Sequence, residues 1–207
     1  MKSSIGPKPG MSDVPADHPR VVDSRIVHQG WGRFLVATLR LPNGQEIERE
    51  IEDHGVAVCV LPYDPVRRIA LLVRQLRPPA LLATESGEML EAPAGRLESA
   101  EPEACAIREV FEEVGVRLRG LDPVVTGWSM PAVSTERIHL FLASFEAADH
   151  TGPGGGLIEE GEDIVVESWP LTRLAKLADE GKLVDIKTLV LLLSLRHRRP
   201  DLFGPER

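Results

Sequence analysis

Cysteine is nearly missing from this chain, with two in 207 residues, Cys59 and Cys105. Two cysteines build no disulfide framework, and Cys59 stands inside an apolar run, so it reads as a core position in a reducing, cytoplasmic protein. Basic charge is scarce as well. Lys and Arg total 24 against 32 Asp and Glu, a formal net charge of −8; that balance argues against a general nucleic-acid binder, which would carry a basic stripe. Long apolar runs are lacking too. The longest, residues 189–195, is interrupted by Ser194 and falls far short of the roughly 20 residues a membrane-crossing helix needs. The polar, Pro- and Gly-containing N-terminus offers no apolar stretch of the secretory kind. The six histidines keep no ligand spacing, and no internal repeat recurs.

What is present is an ordered series of short elements. Residues 1–20 have little to bury and are expected to be a disordered tail. Strand-like runs follow at 21–27, 33–41 and 45–51, the last two joined through Asn43-Gly44, a strong hairpin signal. Runs 55–62 and 69–77 are almost continuously apolar and read as buried strands, with Arg74 and Arg77 near the end of the second. Residues 78–89 read as a loop. Further strands are expected at 121–130, 136–146 and 162–169, with a long Gly-rich loop at 147–161 whose composition predicts mobility. Helices are expected at 171–180 and 186–195, the second running into a basic end that suits a helix C-terminus. This mixture predicts an α/β (α+β) fold, divided into a tail (1–20), N-terminal strands (21–52) and a main domain (53–200).

Residues 92–116 organise the rest. Ala104, Ile107, Val110, Phe111 and Val114 recur at helical intervals, predicting an amphipathic helix. Glu101-Pro102 suits its start and Gly115 its stop. Glu109, Glu112 and Glu113 then stand at i, i+3 and i+4, on one side of the helix. Three neighbouring carboxylates repel one another unless a cation lies among them. Spacing alone leaves two readings: a solvated acidic face, or an oxygen-donor site for Mg²⁺ or Mn²⁺.

Gly95, Glu101, Arg108, Glu109, Val110, Glu112, Glu113, Gly115 and Val116 resemble the Nudix box, G-x5-E-x7-R-E-U-x-E-E-x-G-U with U aliphatic, except that six residues rather than seven separate Glu101 from Arg108. The helical half, R-E-V-F-E-E-V-G-V, is intact, so the shortening bears on the supporting role of Glu101 and leaves the metal geometry in place. The shortened spacing, together with V-R-Q-L-R, E-A-P-A-G, T-E-R-I-H-L-F, G-G-G-L-I-E-E-G-E-D-I and D-I-K-T-L-V-L-L-L, is similar to the nucleoside-diphosphosugar pyrophosphatase branch of the Nudix hydrolase family, which holds GDP-mannose and ADP-ribose pyrophosphatases. The similarity spans about residues 25–197.

The resemblance implies a Nudix fold, a mixed sheet between helices, with an N-terminal antiparallel sheet used in a homodimer of swapped strands. It implies metal-dependent hydrolysis, with Mg²⁺ or alternatively Mn²⁺, of a nucleoside diphosphate sugar to a nucleoside monophosphate and a sugar phosphate. The implied metal ligands are the Ala94 carbonyl, Glu109, Glu113 and Glu162, with Glu112 beside them and Arg108 orienting the cluster. Glu162, with Glu160 second, is the implied base, on a loop able to swing over substrate. Arg77 is the implied phosphate contact, because guanidinium pairs bidentately with phosphate. Arg49, Trp31 (under a base), Glu136 and Lys187 resemble further substrate-contacting positions. Two alternatives stay open: an inactive Nudix-fold nucleotide-binding module, though such modules usually lose the box carboxylates, and a hydrolase of nucleoside triphosphates, which the extra strands and acidic charge disfavour.

Overall fold

The computed structural model describes residues 17–97, 101–157 and 163–204. The chain forms two compact units, one of residues up to Val56 with Trp128–Arg137, the other of Ala57–Gly127 with Ile138–Arg207.

The first unit carries an antiparallel sheet of β1 (Arg20–Gln29), β2 (Arg33–Arg40) and β3 (Glu46–Asp53), in that order. β2 and β3 keep one register throughout, from Arg33 opposite Asp53 to Arg40 opposite Glu46. Both end pairs are ion pairs, Arg33 with Asp53 and Arg40 with Glu46 at 2.6 Å. The Asn43 side chain accepts the Gln45 N–H at 3.0 Å and closes the expected hairpin. Among the described residues of these strands only Ala37 is fully buried, while Val21, Val22 and Val27 are exposed. Arg20 already opens β1, and residues 1–16 of the expected tail lie outside the described residues.

A larger sheet joins β4 (Val56–Asp64), β5 (Ile69–Leu76), β6 (Glu88–Glu91), β7 (Ala94–Arg96), β8 (Asp122–Trp128), β9 (Arg137–Ser144) and β10 (Val165–Pro170). Its order is β10-β5-β4-β9-β8, with β6 on β5 and β7 on β4. β4 and β5 pair only beside their turn, at Tyr63–Ala70 and Asp64–Ile69. Beyond that they separate: β7 takes the start of β4 and β6 takes the end of β5. The short turn between β6 and β7, Ala92 and Pro93, is thereby wedged into the sheet, and the Val60 N–H donates to the Pro93 carbonyl at 2.9 Å.

Among the described residues four α-helices join these sheets: α1 (Pro78–Thr84), α2 (Pro102–Val114), α3 (Leu171–Asp179) and α4 (Ile186–Arg198). The central strands β4 and β5 are almost continuously apolar because both of their faces are covered. Cys59, Leu61, Ala70, Leu72, Leu140 and Leu142 pack with Leu171, Leu174, Leu191, Leu192 and Leu195 of α3 and α4. The alternate residues Val58, Val60, Leu71, Val73, Phe141 and Ala143 pack with Cys105, Ala106, Val110 and Val114 of α2. A period of two sorts each strand between two cores.

Three expectations are corrected. Residues 78–89 hold α1 and the start of β6; α1 buries no residue, so it has no apolar periodicity to read, and Pro78-Pro79 at its start suits a first turn. The buried side of α2 is Cys105, Ala106, Val110, Glu113 and Val114, with Ala104 and Ile107 facing outward. Within the expected Gly-rich loop, 147–161, a 3₁₀ turn forms at Ala147–Asp149, and the backbone N–H groups of Thr151, Gly152, Gly155 and Gly156 bond to Gly115, Glu113 and Glu112.

Candidate active site

α2 begins at Pro102 without a side-chain cap and ends on Gly115, whose φ of +71° closes the last turn. Its acidic side is turned inward. Glu113 is 2% exposed, and its Oε2 accepts the Ala94 N–H at 3.2 Å. One turn earlier, Glu109 lies against Gly95 so closely that a Cβ there would overlap its carboxyl group. Two carboxylates therefore converge on the backbone of Ala94 and Gly95.

Arg108 supplies the counter-charge. Its Nη2 lies 2.5 Å from Glu109 and its Nη1 2.6 Å from Glu112. Burial lowers the guanidinium's affinity for its proton, but Glu109 and Glu112 outweigh that, so Arg108 is held above its ordinary value. Glu112 thus ends in an ion pair on the outer edge of the helix, while Glu109 and Glu113 point to the turn.

Facing the same turn is a second charged cluster, in which the expected Arg77 and Lys187 meet two acids that sequence reasoning did not assign, Glu91 and Asp185. Glu91, the last residue of β6, is 1% exposed. Arg77 donates to both of its oxygens, Nε at 2.7 Å and Nη2 at 2.9 Å. Lys187 approaches it at 3.3 Å and Asp185 at 2.6 Å. Asp185 caps α4 by accepting the Thr188 N–H, and the Ala92 N–H donates to the Thr188 hydroxyl at 2.7 Å. The Glu91 hydrogen bond and charge keep Arg77 above its ordinary value against burial; Lys187 is likewise raised, its burial outweighed by Asp185 and Glu91. Glu91 opens the E-A-P-A-G stretch, but nothing in that stretch gave the acid a role.

The other expected site residues fall elsewhere. Trp31, Arg49 and Glu136 belong to the first unit. Trp31 is 72% exposed, with its ring 5.1 Å from that of His54; Arg49 donates to the Glu48 carbonyl at 2.8 Å; the Glu136 N–H donates to Ser134 Oγ at 3.1 Å. Glu160 and Glu162 lie outside the described residues. The loop that leads to them is anchored on the end of α2: the Gly155 N–H donates to the Glu113 carbonyl at 2.8 Å and the Gly156 N–H to that of Glu112 at 3.1 Å.

The donor chemistry fits a hard divalent cation. Among the described residues no three His, Cys, Asp or Glu side chains form a ready cluster. Two carboxylates beside a backbone turn remain, and Mg²⁺ characteristically uses one or two carboxylates, keeping the other positions for water and phosphate oxygens.

An inward-facing carboxylate helix, a Pro-Ala-Gly turn and a sheet covered by helices on both faces together define a Nudix-type α+β hydrolase. The crystal structure of an ADP compounds hydrolase shares this fold, with a TM-score of 0.71 over 89% of this chain and 95% of that chain, at 19% identity. The chain belongs to the NUDIX domain family, whose model matches residues 53–189. It is similar to the GDP-mannose pyrophosphatase of Pectobacterium atrosepticum, 31% identical over 179 residues, which span 83% of this chain and 91% of that protein. It is also similar to the GDP-mannose pyrophosphatase of Cronobacter sakazakii, 34% identical over 152 residues, 73% of this chain and 78% of that protein.

Proposed function

We propose that this Nudix hydrolase cleaves the pyrophosphate bond of a nucleoside diphosphate sugar, GDP-mannose, ADP-ribose or a related compound, to a nucleoside monophosphate and a sugar phosphate. The observation that carries the proposal is the burial of Glu113 at 2% exposure on the Ala94 N–H. A solvated acidic face would leave that carboxylate in water; here it is drawn inward onto the Ala94 turn, beside Glu109, where a cation can be shared between the two. The similarity to GDP-mannose pyrophosphatases narrows the substrate.

Glu109, Glu113 and the Ala94 carbonyl would hold the cation, with Mg²⁺ the preferred ion and Mn²⁺ a substitute. When bound, such a cation neutralises phosphate charge and lowers the pKa of a coordinated water. Arg108 holds Glu109 and Glu112 apart and oriented. Arg77 and Lys187 offer their remaining N–H donors to phosphate oxygens; Arg77 commits two of its five to Glu91. Glu162, or Glu160, would take the proton as water attacks phosphorus. In-line positioning and charge neutralisation account for most of the catalysis of phosphoryl transfer.

The N-terminal strands, residues 21–52, would form the dimerisation module, with Arg49, Trp31 and Glu136 contributing to the nucleotide site, and residues 53–200 the hydrolase domain. Support comes from the sheet's thin burial and its exposed Val21, Val22, Val27 and Trp31. An acidic, cysteine-poor chain with no described helix long and apolar enough to cross a membrane suits a cytoplasmic small-molecule enzyme.

Incubation with a panel of nucleotide sugars and nucleoside triphosphates in Mg²⁺ tests the reading. Nucleoside monophosphate released from a diphosphosugar, faster than cleavage of any triphosphate, is the expected result. Tight nucleotide binding without metal-dependent turnover would mark an inactive binding module instead.

A further inference from the structure

We propose that Glu91 is a positioning residue for this reaction, a buried carboxylate that presets the Arg77 guanidinium and the Lys187 ammonium beside the Ala94 turn before substrate arrives. The inference rests on the reading above that Arg77 and Lys187 meet the substrate's phosphates.

A carboxylate that is 1% exposed, as Glu91 is at the end of β6, carries a desolvation penalty of several kcal/mol unless it is paired and fully bonded. Glu91 is both, with Arg77 on its two oxygens and Lys187 alongside. Neither cation is itself sealed in. The Arg77 side chain is 38% exposed and that of Lys187 24% exposed. Each therefore rests one end on the buried acid and keeps donors toward solvent. That is how a phosphate-binding pair is held still without being used up.

Glu91 also connects these cations to the metal turn. The next residue, Ala92, donates its N–H to Thr188, which is locked to Asp185, the second partner of Lys187. Two residues later, the Ala94 N–H donates to Glu113. Four consecutive residues thus join the expected phosphate donors to the expected metal ligand. Two cations balance two acids in the cluster, so the donors sit as oriented dipoles and need no rearrangement when a diphosphate binds. A purely structural ion pair would need none of this exposure.

Mutant-cycle kinetics separate the two roles. Glu91→Gln keeps the shape but removes the charge and turns an NH₂ toward the guanidinium. It is expected to lower kcat/KM for the nucleotide sugar by about 10–100-fold while Mn²⁺ affinity, read by titration, stays within about twofold. In a background lacking both cations, Arg77→Ala with Lys187→Ala, the same change is expected to cost less than about threefold, because Glu91 acts through those two side chains. Equal factors in both backgrounds, or a Glu91→Gln enzyme within about twofold of wild type while Arg77→Ala is impaired, would overturn the positioning role and leave the proposed function standing. An Arg77→Ala enzyme with undiminished kcat/KM would take Arg77 out of the phosphate site and overturn the positioning role with it, while the hydrolysis itself stands. Should Glu91→Gln not fold, Glu91→Asp keeps the charge and shortens the reach. A folded Glu91→Asp with wild-type kcat/KM contradicts the proposal, and a loss confined to the background that keeps both cations supports it.

Discussion

At Gly95 a single missing carbon decides the site. The residue needs no unusual backbone angle; it is glycine because the Glu109 carboxyl group occupies the space of a Cβ. Gly95→Ala is therefore expected to push Glu109 off the turn and weaken divalent-cation affinity by roughly 10–100-fold with little change in thermal stability, as read by metal titration and a melting curve. That Glu109 and Glu113 share one side of α2 was legible from their spacing, because fixed spacing on a helix translates directly into a shared face. Glu91 was not. A lone acid in a four-residue strand carries no periodic signal, and its partners Arg77 and Lys187 lie 14 residues before it and 96 after. Only the fold brings them together.

Among the elements, α2 depends on what covers its end. Gly154 has a φ of +66°, and a Cβ there would stand 2.5 Å from the Glu113 carbonyl. Gly154→Ala combines left-handed strain with that collision, so a loss of about 1–3 kcal/mol is expected in denaturant unfolding. The Gly-rich composition of this loop predicted mobility, whereas its described part uses glycine for close approach to the helix. Composition cannot separate those two uses, since both require a missing side chain. α1 escaped for the opposite reason, having no buried face to announce it.

The edge strand β10 is fastened by charge. Arg74 donates to Glu167 at 2.6 Å, and the Trp169 indole N–H adds a bond at 2.7 Å. The Arg74 bond, aided by Trp169 and outweighing burial, holds the Glu167 carboxyl below its ordinary value of 4.5. A depressed folded value means that the stabilisation is present above the unfolded value and lost as pH falls through the folded one. Glu167→Gln is thus expected to lower stability by about 1 kcal/mol at pH 7 and to reduce the loss of stability between roughly pH 5 and pH 3, measured by urea unfolding across that range.

For the whole molecule, the two-sided core was readable from uninterrupted apolar strands, because strands covered on both faces need apolar residues at every position. The parting of β4 and β5 that seats the Ala92-Pro93 turn was not readable, since it depends on which strands pair and how far. The thinly buried N-terminal sheet is expected to find cover in a second copy. Sedimentation at micromolar concentration should return a dimer, and a monomer would remove the dimerisation role given to residues 21–52.

In the proposed reaction the carboxylates of α2 hold the cation that drives pyrophosphate hydrolysis. The most direct measurement is the Mg²⁺ dependence of nucleoside monophosphate release from GDP-mannose and ADP-ribose, by wild type and by Glu113→Gln. Saturable, metal-dependent release by wild type is expected, abolished by chelation and reduced by at least about 100-fold in the variant at equal metal. Release that persists without metal, or a Glu113→Gln enzyme as fast as wild type, would contradict the account.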